Sequence, residues 1–538
     1  MNKIEEILLD LVSVQSDTGT SLECNMAQKI YEILKKDKYF IDNPQYLGCY
    51  ENNDILKRPV VWALKKGTGN KTLIMMGHYD AVEIDSYGEL KEYALDPIKL
   101  KEKMKTMSFT DKQIEADLND DNWMFGRATA DMKAGVAINL HTLLNTNPEK
   151  LNLLFIGVPD EENISAGAIQ SIGLYKELKE KFNLEYELSI ISEPQLRDPK
   201  EDKDVILYSG TMGKFLPIIM AKGVLTHSAE ILKGINSNFI ISEIVHNLEL
   251  TTDFVCEDRG VFTQPPTVQI LKDLKTTYDV STPEYSVMCL NVLFLKNKTP
   301  MEILENMTDI CEKSLNDVIA KYNKSFDYMM ERGFIKESER KNFIPRVMTV
   351  AQLEQEVKSS NLDYDKFKEE TMKSLKEQIL NKDITLQTAS IEYMKKLLEK
   401  SQIDNPVVLI GIAPPYYPSV CNAFIDKDIN YCTKGLDGYM KETFDSGIVD
   451  VAYLSVMDDM SYMSCTNPVE ERAFLNNMVL SSSLYDVPVE DISELNIPSY
   501  MIGPAAKDVH KFGERVYIPD VVEKIPMLFN KIIENMDI

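Results

Sequence analysis

Six side chains able to ligate a metal or move a proton stand just beyond apolar runs, in the order His78, Asp131, Glu161, Glu162, Glu193 and His510. The chain has only five histidines, and two of them lie beside carboxylates in short motifs punctuated by Gly and Pro. Imidazole and carboxylate are the donors that zinc accepts. Hydrolysing an amide at neutral pH needs a nucleophile, a proton shuttle and a charge sink for the oxyanion. Two ions ~3.5–4 Å apart meet the first and last needs, because they draw the pKa of bound water toward ~7 and polarise the carbonyl. One carboxylate shared between the ions is the economical way to hold them that close, so the pattern predicts a metal-activated hydrolase.

Taken singly, each residue has a plainer reading. Asp131 opens a helical pattern, DMKAGVAINLHTLLN (131–145), where a carboxylate suits both cap geometry and the local positive field. Glu161 and Glu162 in PDEEN would pass as a solvated acidic turn, and His510 as a surface histidine. Asp80 alone would be a strand-end aspartate. Two residues after His78, however, it shares that residue's face at strand spacing and can accept the other imidazole N–H, which fixes the tautomer and raises ligand basicity. The set carries the reading, and no single member does.

The elements that must position these residues are legible as apolar runs. TLIMM (72–76) precedes His78, LNLLFIGV (151–158) precedes Glu161, YELSII (186–191) precedes Glu193, and IPSYMI (497–502) precedes the loop with His510. Continuous apolar runs bounded by Gly and Pro predict strands buried on both faces of an α/β sheet, whose ligands bind beyond the strand ends. After the charged connection ISEPQLRDPKEDKD (191–204), strands are expected in 205–223, 267–280 and 285–296, with helices in 237–250 and 301–333. Interleaved strands and helices make a second, α+β unit. The charged stretch 350–404 has helical spacing at 364–380 and 389–400 and reads as a solvated helical pair. PVVLIGIAPPYYP (406–418) reads as a buried strand returning to the first domain, and 98–120 as a helical insertion.

Length and composition bound the rest. At 538 residues the chain exceeds the ~250–300 residues of a single core, so two domains are expected. A formal net charge of −26 repels phosphate backbones and anionic membranes, which excludes nucleic acid and membrane surfaces as expected partners. Eight cysteines without CxxC spacing suggest neither a thiolate metal site nor a disulfide framework. The start, MNKIEEILLDLVSVQSD, is interrupted by Glu5, Glu6 and Asp10, unlike a secretion signal, and no stretch reaches the ~18–20 apolar residues of a membrane span, so a cytoplasmic protein is expected. Neither GxSxG nor a nucleophile-like cysteine supports serine or thiol catalysis.

In this order, GHYDAV (77–82), FGRATADMKAG (125–135), GVPDEEN (157–163), ISEPQ (191–195) and GPAAKDVHKFGERV (503–516) resemble the two-zinc exopeptidases and deacylases that include aminoacylase, acetylornithine deacetylase and glutamate carboxypeptidase. Within that family, the length and PPYYP (414–418) look most like the RocB-like branch associated with arginine utilisation. The resemblance implies a mixed, mostly parallel sheet flanked by helices, with an inserted α+β lid over 206–405 between catalytic segments 1–205 and 406–538. It implies that His78, Asp131 and Glu193 hold one ion and Asp131, Glu162 and His510 the other, with Asp131 bridging. Zinc is the expected metal, cobalt and manganese the alternatives. Glu161 would then be the general base, Asp80 the partner of His78, and His227 of the lid motif KGVLTHSAEILKGINSN (222–238) the oxyanion donor, in this family often reaching from a neighbouring subunit. Asn291 would be a further polar lid contact, while His141 and His246 read as packing residues. Ala128 replaces a glycine usual after GR, and Asn291 and Leu293 stand where many relatives carry an Asp-x-Arg pattern, which argues against a carboxypeptidase-like grip on a substrate carboxylate.

The expected activity is hydrolysis of the amide in a small N-acylated amino acid or short peptide, with arginine catabolism as the setting. The rivals are an aminopeptidase or dipeptidase of the same family and a catalytically silent metal-binding regulator. A lid of 200 residues suits either a homodimer or a monomer whose extra helices cover the site.

Overall fold

The computed structural model describes residues 2–51, 54, 56–360, 363–480 and 484–538. The chain forms two compact units, the first comprising Met1–Thr211, Val420–Thr466 and Glu490–Ile538, the second Met212–Ser419 and Asn467–Val489.

The first unit is built on an eight-stranded sheet in the order Leu47–Tyr50, Val60–Lys65, Asn152–Val158, Lys71–His78, Glu185–Ile191, Ser499–Met501, Val205–Tyr208, Ile448–Val451. Its centre is parallel: Lys71–His78 pairs in parallel with both Asn152–Val158 and Glu185–Ile191, and the latter with Ser499–Met501. The four expected strands are therefore neighbours, and parallel pairing brings the residues after each of them to one edge. Side chains alternate between faces along a strand. Leu73, Met75, Leu153, Phe155, Leu188 and Ile190 share a core with helices Lys3–Val12, Ala134–Asn145 and Ile525–Met536. On the other face, Met76 meets Tyr175 of helix Ala166–Phe182, whose hydroxyl lies 3.7 Å from the sulfur. The doubly covered α/β sheet is what the apolar runs predict, and its mixed, mainly parallel order with flanking helices is what the family resemblance implies.

A smaller sheet of the same unit joins strands Trp123–Phe125, Arg515–Tyr517, Ala505–Lys507 and Gln195–Leu196 in that order. It brings the loop after Phe125, which contains Asp131, and the loop after Lys507, which contains His510, to either side of the strand that starts at Arg515. The insertion at 98–120 forms helices Pro97–Met104 and Lys112–Leu118.

The second unit has a five-stranded sheet in the order Thr267–Asp273, Tyr285–Phe294, Gly213–Lys222, Val407–Tyr417, Arg346–Thr349, with helices Ser237–Leu248 and Pro300–Glu331 packed together. Two expectations need correction here. Val407–Tyr417 does not return to the first unit; it is an interior strand, antiparallel to Gly213–Lys222 and parallel to Arg346–Thr349. All eleven of its residues are buried, and such a strand needs a neighbour on each side to satisfy its backbone. The unit consequently runs to Ser419 rather than 405 and takes in the later segment Asn467–Val489. Nor is 350–404 a solvated pair. It forms three helices, Val350–Ser360, Tyr364–Leu380 and Leu386–Ser401, which cover a face of the sheet with Leu353, Leu375, Tyr393, Met394 and Leu397. Fully burying such a side chain contributes about 1.5–3 kcal/mol, so a narrow apolar stripe outweighs the many charges that point outward.

Candidate metal centre

His78 is the last residue of its strand and is fully buried. Its Nε2 lies 2.9 Å from Asp131 Oδ1 and 3.4 Å from Glu193 Oε1, the glutamate two residues beyond the neighbouring strand. His510 approaches from the other side, with Nε2 3.0 Å from Asp131 Oδ2 and 2.9 Å from Glu162 Oε1. Asp131 therefore offers one oxygen to each imidazole. The two sets, His78–Asp131–Glu193 and Asp131–Glu162–His510, each have donor atoms within 4.8 Å of one another. Glu161 belongs to neither.

Asp131 is not a helix cap. The helix begins at Ala134, and Asp131 is extended, with φ −113° and ψ 102°, in an irregular turn after Ala128, whose φ of 59° is left-handed. That irregularity frees the carboxylate to face the imidazoles. His510 is likewise left-handed, at φ 65°, a conformation that carries strain in a residue with a Cβ and that turns its ring toward Asp131.

Asp80 joins the two halves of the site. His78 Nδ1 lies 3.2 Å from its backbone oxygen and 3.4 Å from its Oδ1. Its two carboxylate oxygens also accept the backbone N–H groups of Glu161 and Glu162, at 3.1 and 3.2 Å. One buried carboxylate thus orients a metal-site imidazole and seats the glutamate pair. Asp80→Asn keeps the shape but removes the charge, and we expect a 10–100-fold loss in metal affinity or turnover, as for other residues that orient ligands; a cobalt titration showing an unchanged affinity, with unchanged turnover, would remove this role.

The electrostatics match a site made for cations. Hydrogen bonds that Asp131 and Glu162 accept from its ring push His510 up to about 10. Burial works against a charge on His78, yet Glu193, Asp131 and Asp80 together raise it well above its ordinary value. Burial, reinforced by Asp459, Glu193 and Glu162 and opposed by His78, holds Glu161 well above the usual glutamate range. A divalent ion requires neutral imidazole and ionised carboxylate, and the five ligand-type residues, within reach of two positions, would supply both by giving up their protons as an ion binds.

The other residues singled out in the sequence lie elsewhere. His227 is in the second unit, exposed, its Nδ1 accepting the Ala229 N–H at 3.1 Å. Asn291 is on strand Tyr285–Phe294 of that unit. His141 is half-buried in its helix, but His246 is exposed on helix Ser237–Leu248 and is not a packing residue. Sequence reasoning missed two buried acids at the site, Asp458 and Asp459, which burial pushes up to about 8 and about 7; the charge of Asp459 acts on Glu161 and Glu193. No apolar strand run precedes them, and the adjacent pair in VMDDMSYMS was the only signal. It also left unassigned Arg58, which ties the glutamate loop down, and Arg127 and Glu514, although the last two lie inside motifs that were recognised.

Fold and site together define a metallohydrolase. A family model described as Peptidase family M20/M25/M40 matches residues 74–534, and the chain belongs to that family. The uncharacterized protein YqjN of Bacillus subtilis is 30% identical, with 97% of this chain and 94% of that one covered. The protein RocB of the same organism is 28% identical, with 98% and 94% covered. An M20 family metallo-carboxypeptidase from Sulfolobus solfataricus, 14% identical, shares the fold over 99% of both chains with a TM-score of 0.52. Among the described residues, no helix is long and apolar enough to cross a membrane.

Proposed function

We propose that the protein is a two-metal amidohydrolase that cleaves the amide of a small N-acylated amino acid or short peptide. The observation that carries this is Asp131 dividing its two oxygens between His78 and His510, with Glu161 beside the cluster but outside both ligand sets. His78, Asp131 and Glu193 would hold one ion and Asp131, Glu162 and His510 the other, zinc being the metal that best suits these donors. Bound there, the ions supply Lewis acidity for the carbonyl and for water. The chain's own residues do the rest. Glu161, seated through its N–H on Asp80, takes the proton from the attacking water and delivers it to the leaving nitrogen. Asp80 holds His78 in one tautomer. His227, on the likeness of its HSA motif, donates to the oxyanion, from the same chain or from a second copy. The arginine-catabolic setting is supported only by the RocB-like resemblance.

One observation favours a second reading. Asp458 and Asp459, buried near Glu193, suit a substrate with a free ammonium group, as an aminopeptidase or dipeptidase would take. A panel of N-acyl amino acids and free dipeptides, assayed after chelation and again after adding back zinc, cobalt or manganese, tests both. Hydrolysis that is lost on chelation and restored by metal supports the proposal, and the preferred half of the panel chooses between the readings. No metal-restored hydrolysis of any member would leave a metal-binding regulator.

A further inference from the structure

The spacing of most ligands is set by regular structure. His78 ends, and Glu193 follows, one of two adjacent, hydrogen-bonded parallel strands, and Glu162 is seated on Asp80. Asp131 and His510 have no such link. They stand 379 residues apart, in loops that follow Trp123–Phe125 and Ala505–Lys507, two strands that are not neighbours but flank Arg515–Tyr517.

Glu514 heads that middle strand, and it is buried, as is Arg127. One carboxylate oxygen of Glu514 accepts the backbone N–H groups of Ala130 and Asp131, at 3.3 and 3.4 Å. The other is in an ion pair with Arg127 Nη1. Arg127 Nη2 continues the chain of contacts, donating to the backbone oxygen of His510 at 3.2 Å and to Ser86 Oγ at 2.7 Å. The guanidinium lies over the Tyr87 ring, 5.2 Å from its centroid, and the Glu514 backbone oxygen accepts the Gly126 N–H at 3.1 Å. A closed circuit therefore runs from Asp131 through Glu514 and Arg127 to His510, and every group in it is fixed by a second contact. Neither residue reaches a ligand side chain; both hold ligand backbones. A guanidinium fork is suited to this, since its donors point in set directions.

We propose that the Arg127–Glu514 pair is the positioning element of the second metal site, setting the separation of Asp131 and His510 and hence that site's affinity, largely independently of the first. This rests on the two-metal reading above. The clamp holds the backbone of the shared Asp131, but the first site keeps His78 and Glu193, whose spacing the main sheet imposes. Losing the clamp should therefore affect the two sites unequally.

Calorimetric titration of the full-length, chelator-treated protein with cobalt tests this. Wild type should bind two equivalents. Glu514→Gln should keep one with an affinity within about threefold of wild type and bind the other at least tenfold more weakly. The double variant Arg127→Met/Glu514→Met separates positioning from packing, because replacing a buried ion pair by apolar side chains of similar size leaves no unpaired charge. It should still unfold cooperatively, at a melting temperature lowered by the unpaired N–H groups of Ala130 and Asp131, and lack the tight second equivalent, and it supplies the readout if Glu514→Gln does not fold. A double variant that binds both equivalents as wild type does, or a folded Glu514→Gln that does so, overturns the clamp alone. A wild type that binds fewer than two equivalents overturns the two-metal reading, and this inference with it.

Discussion

Glu161→Gln should lower kcat by about 10²–10⁴-fold, the usual worth of a general base, on whichever amide the protein hydrolyses. The amide side chain fills the same space, and the backbone N–H that seats residue 161 on Asp80 is untouched. What it cannot do is accept a proton from water and release it to the leaving nitrogen. Because Glu161 lies outside both ligand sets, metal content should stay at the wild-type level. That pairing of results separates a base from a ligand. Turnover within a few-fold of wild type would remove Glu161 from the mechanism, whereas loss of an equivalent of metal would make it a ligand.

Arg58→Ala should destabilise the fold by about 3–5 kcal/mol, the cost of leaving buried charges without their partner. Arg58 is buried beneath the glutamate loop, where it pairs with Asp54 at 2.8 Å, Glu23 at 2.9 Å and Asp160. Glu23 in turn accepts the Asp160 N–H at 2.9 Å, and the Asp160 backbone oxygen accepts the N–H groups of Asn163, Ile164 and Ser165. Even with Arg58 present, burial holds the Glu23 carboxyl up at about 8, so little compensation is in reserve. Without the guanidinium, two or three carboxylates must protonate or draw in water, and the turn that presents Glu161 and Glu162 loses its floor. Denaturant unfolding measures the first effect as a lower midpoint, and kcat the second. A midpoint unchanged from wild type would show the network to be energetically neutral.

Much of the candidate site was legible because most of its ligand-type residues stand at or just beyond strand ends, and a strand buried on both faces is written as an uninterrupted apolar run. His78, Glu162 and Glu193 could be placed on one edge from that signal alone. The run IPSYMI placed the loop of His510 on that edge too, but the positions of the Asp131 and His510 side chains depend on irregular backbone, with a left-handed residue in each neighbourhood, and only the motif order linked the two. The supporting pairs were not legible at all. Arg58 with Glu23 and Asp160, or Arg127 with Glu514, are charged residues far apart in sequence, and charge in a sequence normally signals solvent. The second unit was misjudged at its end for a related reason. VVLIGIAPPYY announces a buried strand, but an apolar run does not say which sheet it joins. The three helices of 350–401 were judged by their many charges, whereas a stripe of a few fully buried side chains decides where a helix lies.

The chain leaves the first unit and returns to it twice, at Thr211, Val420, Thr466 and Glu490. No single cut can release either unit, and neither can be made as one uninterrupted fragment. Synthesis proceeds from the amino terminus, so His78, Asp131, Glu162 and Glu193 all emerge from the ribosome before the second unit, and His510 only after it. A nascent chain therefore carries four of its five candidate ligands for some three hundred residues of elongation without His510, and the proposed two-metal site can be completed only when nearly the whole polypeptide has been made.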